Sequence, residues 1–118
     1  MPILELTTNV KVADPKAFSL ALNKAAAAAL GMDGYVTVSY TYNETVTFAG
    51  THGPAFLLRV TTLGNGTEKN ETFSKALFGH LEAALGVPAD RGYIIFNDPG
   101  KINLGFVYKG TTFATIFK

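Results

Sequence analysis

The second residue is a proline, in the opening Met1-Pro2-Ile3-Leu4. A small residue at that position lets an aminopeptidase remove Met1. Pro2 would then carry a free secondary amine. An ordinary α-amino group has a pKa of about 7.7–8.0, and apolar surroundings lower it by disfavouring the charged form. Such an amine, neutral near pH 7, can take a proton from a carbon beside a carbonyl, and its conjugate acid can return it. Few other residues compete for chemistry. There is no cysteine, so disulfides and thiolates are excluded. The two histidines lack metal-ligand spacing. His80 reads as a polar or partly buried helix position, and His52, in Thr51-His52-Gly53-Pro54, as a solvated loop residue. Neither a Gly-x-Ser-x-Gly elbow, a phosphate loop nor a dinucleotide fingerprint is present. No metal and no cofactor are expected. The N-glycosylation patterns at Asn43, Asn65 and Asn70 are read as turn and helix-cap chemistry.

The elements that must position Pro2 occur twice. Pro2 to Thr8 and Pro54 to Thr62 both open as strands. Each then runs through a polar loop into a helical pattern that ends at Leu-Gly, Leu30-Gly31 and Leu85-Gly86. Each resumes at a tyrosine that begins an apolar run, Tyr35-Val36-Thr37-Val38 and Tyr93-Ile94-Ile95-Phe96. Asp14 can accept from the free amides of a first turn, and Pro15 fits the next position because it has no amide to satisfy. Phe18, Ala21, Leu22, Ala25, Ala29 and Leu30 recur at helical spacing, as do Phe73, Leu77, Leu81, Ala84 and Leu85. Gly31 and Gly86 supply left-handed stops, and Pro88 prevents continuation.

Strand, crossover helix and return strand make a parallel unit, right-handed almost always. Two copies, residues 1–53 and 54–118, predict one α/β domain over residues 1–118. It is expected to be a four-stranded mixed sheet with both helices on one face. The runs Ala55 to Val60 and Tyr93 to Phe96 are apolar almost throughout, a pattern of burial on both faces. Two helices cover one face, so other subunits are expected on the second. The low charge agrees: 16% of residues are charged and 47% are hydrophobic, against roughly 25% charged in an average domain. A net charge of +1 argues for neither nucleic acid nor an acidic membrane surface. The Ala-rich stretch from Ala25 to Leu30 is too short to span a bilayer. No basic segment followed by an apolar run opens the chain. A cytoplasmic location, or secretion without a signal peptide, is expected. Beyond Asp98, Leu104 to Tyr108 and Thr111 to Phe117 read as short strands that could add to a neighbour's sheet edge.

The whole pattern resembles the macrophage migration inhibitory factor and D-dopachrome tautomerase family. The resemblance rests on Met1-Pro2-Ile3-Leu4-Glu5-Leu6-Thr7-Thr8-Asn9-Val10, on Thr47-Phe48-Ala49-Gly50 before Pro54, and on Leu63-Gly64. It continues through Asn70 to Lys75, Pro88 to Ile94, Asn103-Leu104-Gly105-Phe106 and Thr112-Phe113. It implies a trimer of two-repeat subunits and keto–enol tautomerisation of phenylpyruvate-like or dopachrome-like compounds. It also implies an active site between subunits, with Pro2 as the base. Leu63 matches a position whose backbone amide meets substrate, and Tyr93 an aromatic lent by the neighbouring subunit. Tyr35, Leu104, Phe106 and Phe113 match or replace apolar pocket-wall residues. Two positions depart from the family. Met32 stands where a lysine binds substrate carboxylate, and Ile95 stands where an asparagine is usual. Both changes make the pocket more apolar. Arg59, Lys101 and Lys109 are candidate replacement cations. A second reading keeps the trimer as a cytokine-like signal that binds a protein receptor, with a vestigial pocket. A related decarboxylase or dehalogenase would need Arg or acidic partners near Pro2, and the sequence offers no clear candidate.

Overall fold

A computed structural model describes residues 2–30, 35–63, 67–105 and 110–116. Four strands, β1 (Ile3–Thr8), β2 (Thr37–Tyr42), β3 (Phe56–Thr61) and β4 (Gly92–Asn97), form one sheet in the order β2-β1-β3-β4. Helices α1 (Pro15–Leu30) and α2 (Thr67–Leu85) are the crossovers. β1 pairs parallel with β2, and β3 parallel with β4, while the central pair β1 and β3 is antiparallel. The sheet is therefore mixed, and its two halves are the two β-α-β units.

Local chemistry accounts for the helix ends. Asp14 Oδ1 accepts the Ala17 amide at 3.1 Å and its carbonyl accepts the Phe18 amide at 3.0 Å. Those bonds satisfy donors that a first turn leaves free. At the end of α2, Gly86 has φ 70 and its amide donates to the Glu82 carbonyl at 2.9 Å. Gly31 lies outside the described residues.

One face of each helix meets one face of the sheet. Phe18, Leu22, Ala26 and Leu30 of α1 pack with Phe73, Leu77, Leu81 and Leu85 of α2 over Leu4, Leu6, Phe56, Leu58 and Val60. Ala21 and Ala84, expected in the apolar stripes, point outward instead. Each fully buried leucine stabilises the fold by about 1.5–3 kcal/mol. Gly92 is dictated by packing: a Cβ there would fall 2.4 Å from the Phe56 ring, which lies against it in register.

The other sheet face is left open by the chain's own helices. Leu57 is 37% exposed, Tyr93 65% and Ile95 40%. The strands predicted to be buried on both faces are thus buried by this chain on one face only. The C-terminal expectation also changes. Residues Phe113–Ile116 form a one-turn helix, α3, not a strand. Gly110, at φ 81, turns the segment back on itself, and Gly105 and Thr112 form an isolated antiparallel bridge. Phe113, 2% exposed, anchors the turn. Of the other predicted tail strand, residues 106–108 lie outside the described residues. Among the described residues no helix is long and apolar enough to cross a membrane.

Candidate active site

The end of the sheet where β1 begins gathers three of the expected site residues. Pro2 leads into β1, and its carbonyl accepts the Thr37 amide at 3.1 Å. Ile3 lies in register with Thr37 on one side and Thr61 on the other. Tyr35, entering β2, and Leu63, leaving β3, therefore flank the same end. Pro2 is under 2% exposed and follows the buried alternation of Leu4 and Leu6. Tyr35 holds φ 56, a left-handed conformation that bulky residues seldom enter. Strain of that kind persists only where the surrounding structure over-determines it. The fold, and not local preference, sets where Tyr35 stands.

Thr62 was not singled out by the sequence. Its amide donates to the Asn97 carbonyl at 3.0 Å, while its buried hydroxyl has no hydrogen-bond partner. It follows Thr61 at the Pro2 end of β3, so an unsatisfied polar atom sits at the level of the proline. No local pattern marks a buried Thr as unpaired, so sequence could not have found it.

Tyr93 and Ile95 lie elsewhere, on the open face of β4. Tyr93 is in register with Leu57, and Leu57 with Thr7. Thr7 is five residues along β1 from Pro2, roughly 16 Å at about 3.3 Å per residue, and β4 is two strands away. One chain does not bring Tyr93 to Pro2. Ile95 is in register with Arg59, and Arg59 with Glu5, so the exposed Arg59 lies beside the Ile95 position on the neighbouring strand. Lys101 is exposed in a 3-10 turn, Lys101–Asn103. Leu104 and Phe113 do come together, the Phe113 amide donating to the Leu104 carbonyl at 2.9 Å. Met32, Phe106 and Lys109 lie outside the described residues.

Phe48 is a residue that the sequence reading left without a role, although its Thr47-Phe48-Ala49-Gly50 motif was noticed. Its ring lies 5.4 Å from that of Tyr93, tilted by 33°. Together with Thr7, Val46, Phe56 and Leu57 these rings line a hollow of about 390 Å³ on the open face. Arg91 stands over Phe48, its guanidinium carbon 5.5 Å from the ring centre.

His52 is exposed as expected, with Nδ1 3.3 Å from the Val46 carbonyl. His80 is partly buried on α2, its Nε2 has no partner, and burial pushes its pKa below the ordinary imidazole value. Among the described residues no group of three His, Cys, Asp or Glu side chains could hold a metal ion.

The family model described as macrophage migration inhibitory factor matches residues 1–114. The chain belongs to the macrophage migration inhibitory factor family. Its relatives include a homolog of that factor from Trichuris trichiura, 38% identical over 116 residues, covering 96% of this chain and all of the relative. The factor from Mus musculus is 34% identical over 117 residues, covering 97% of this chain and all of the relative. Among solved structures, the factor from Trichinella spiralis superposes with a TM-score of 0.85 at 32% identity, over 94% of this chain and 99% of that one. A chain from a structure described as a fused 4-OT symmetric trimer, 20% identical, shares the fold with a TM-score of 0.83, over 98% of this chain and 99% of that one.

Proposed function

We propose that this member of the macrophage migration inhibitory factor family is a keto–enol tautomerase. It acts as a homotrimer on phenylpyruvate- or dopachrome-like compounds, with Pro2 as general base. The separation of Pro2 from Tyr93 carries the reading. Pro2, Tyr35 and Leu63 share one end of the sheet, while Tyr93 and Ile95 stand on a face the chain leaves uncovered. A second subunit packed on that face would bring the two sets together. It would also remove Leu57, Tyr93 and Ile95 from water, each buried Å² contributing about 25 cal/mol.

With Met1 removed, the Pro2 nitrogen is the secondary amine of a buried residue. Burial disfavours its charged form, so a neutral fraction persists near pH 7. That nitrogen takes the proton from the carbon beside the substrate carbonyl, or from the enol oxygen in the reverse sense. The same nitrogen, now protonated, delivers it to the other site. The family resemblance gives the Leu63 amide the part of meeting the substrate, and Tyr35, Leu104, Phe106 and Phe113 the part of apolar walls. Met32 offers no cation to a carboxylate, and burying an unpaired charge is costly. Carboxylate substrates are therefore turned over less well than their esters.

The test is enol–keto conversion of phenylpyruvate, hydroxyphenylpyruvate and a dopachrome methyl ester by the processed protein. A charge-assisted hydrogen bond contributes about 1.5–3 kcal/mol, so Met32→Lys should raise kcat/KM on phenylpyruvate by about one to two orders of magnitude and help the ester much less. An unchanged carboxylate-to-ester preference with the trimer intact would mean that a replacement cation already serves the site or that the pocket has another purpose. The alternative of a partner-binding trimer with a vestigial pocket draws on Ile95, an exposed apolar side chain where the family resemblance expects a polar one. Absence of turnover on all three substrates would favour it.

A further inference from the structure

Within a single chain Tyr93 is 65% exposed on an edge strand, where side chains exchange rotamers on the picosecond-to-nanosecond scale. Its ring is instead backed by Phe48 at 5.4 Å. Phe48 in turn sits in a loop fastened far more heavily than a surface turn needs. Phe48 and Thr51 exchange both backbone hydrogen bonds, at 3.0 and 3.1 Å, around Ala49 at φ 52 and Gly50 at φ 77. That tight turn favours Asn-Gly, and alanine enters it only against its own preference.

Two side chains from distant segments hold the loop there. Asn9 Nδ2 lies within 2.9 to 3.1 Å of the carbonyls of Val46, His52 and Gly53 and donates towards them, while Asn9 Oδ1 accepts the Ala55 amide at 2.9 Å. Arg91 donates to the carbonyls of Pro54, Thr51 and Gly53 at 2.8, 3.4 and 3.1 Å, and its guanidinium covers the Phe48 ring. At Gly53 a Cβ would lie 3.3 Å from that guanidinium, a tight contact from which Arg91 would have to shift by a few tenths of an ångström. Arg91 is two residues before Tyr93, so one short stretch carries both the fastening and the ring being fastened.

We propose that Phe48, locked by the Asn9–Arg91 clamp, is a positioning residue that sets the pose of Tyr93 and so the affinity of the site for its aromatic substrate. This rests on the tautomerase reading and on Tyr93 serving the neighbour's pocket. A pre-set ring loses less freedom on binding than a mobile one. The device therefore acts on KM and leaves proton transfer at Pro2 alone.

Phe48→Leu keeps apolar bulk but removes the ring face, whereas Phe48→Tyr keeps the face. Each is made in the processed full chain, alone and with Tyr93→Ala, and assayed with phenylpyruvate. Phe48→Leu should raise KM about two- to tenfold, the scale of one aromatic pair, with kcat changed less than about twofold. Phe48→Tyr should restore KM. In the Tyr93→Ala background Phe48→Leu should add nothing, because coupled residues are not additive. Ring-proton NMR shifts of Tyr93 should move in Phe48→Leu and return in Phe48→Tyr. An equal KM penalty with and without Tyr93, a loss confined to kcat, or unmoved Tyr93 shifts would overturn the proposal. If the unmutated protein does not convert phenylpyruvate, the tautomerase reading falls separately, and the Tyr93 shifts alone decide the positioning claim.

Discussion

The two β-α-β halves share a topology and divide the work. The outward residues of β2, Thr37, Ser39 and Thr41, are polar, whereas those of β4 begin Tyr93 and Ile95. The first half places Pro2 and Tyr35 at an end of the sheet. The second half presents aromatic and aliphatic side chains on its open face, backed by Phe48 from the connecting loop. On the proposed reading, the repeated scaffold supplies the reactive end from one copy and the docking face from the other. One chain does not bring Pro2 and Tyr93 together, so that reading needs another subunit.

The largest effect should come from disabling the first half. A form that retains Met1 has an amide nitrogen at Pro2, which is not a base. It should lose about 10²- to 10⁴-fold in kcat, the usual contribution of general acid–base catalysis. Intact mass confirms which form is assayed. An NMR titration of the processed protein should place the Pro2 amine below the ordinary α-amino range.

Disabling the second half should act through assembly. Ile95→Asp puts a charge on the open face, where an unpaired carboxylate buried by assembly costs several kcal/mol. Sedimentation should show trimers giving way to monomers at low micromolar concentration, with far-ultraviolet circular dichroism retained. A variant that stays trimeric would mean that β4 does not line the interface.

The smallest effect separates stability from assembly. Burial lowers the pKa of His80 in the folded chain, so folding favours the neutral ring. Stability from this group is fully present above the unfolded pKa of about 6.5 and is lost as pH falls from there through the lowered folded value. The urea midpoint should therefore drop as pH falls below about 6.5, and His80→Leu should flatten that drop.

Much of this was legible in the sequence because it is written locally. Asp14-Pro15, Gly86 and the helical spacing of Phe73, Leu77 and Leu81 mark their elements within a few residues. The twofold recurrence then gives the mixed sheet, and Pro2 announces itself by position. What could not be read depends on long-range contacts. Asn9 and Arg91 meet the loop around Phe48 from segments tens of residues away, with no periodicity to betray them. Phe113 turns into a helix because Gly110 reverses the chain. Leu57, Tyr93 and Ile95 read as buried on both faces, and the chain itself covers only one.

The central claim is that Pro2 and Tyr93 of different subunits share one site, and complementation tests it most directly. Subunits carrying Pro2→Gly and subunits carrying Tyr93→Ala are each assembled alone, then unfolded, mixed in equal amounts and refolded together. A shared site predicts two weak parents and a mixture with about a quarter of the wild-type sites restored, the share that random assembly in a closed ring allows. A mixture no more active than the average of its parents would contradict it, because every site would then be built within one chain.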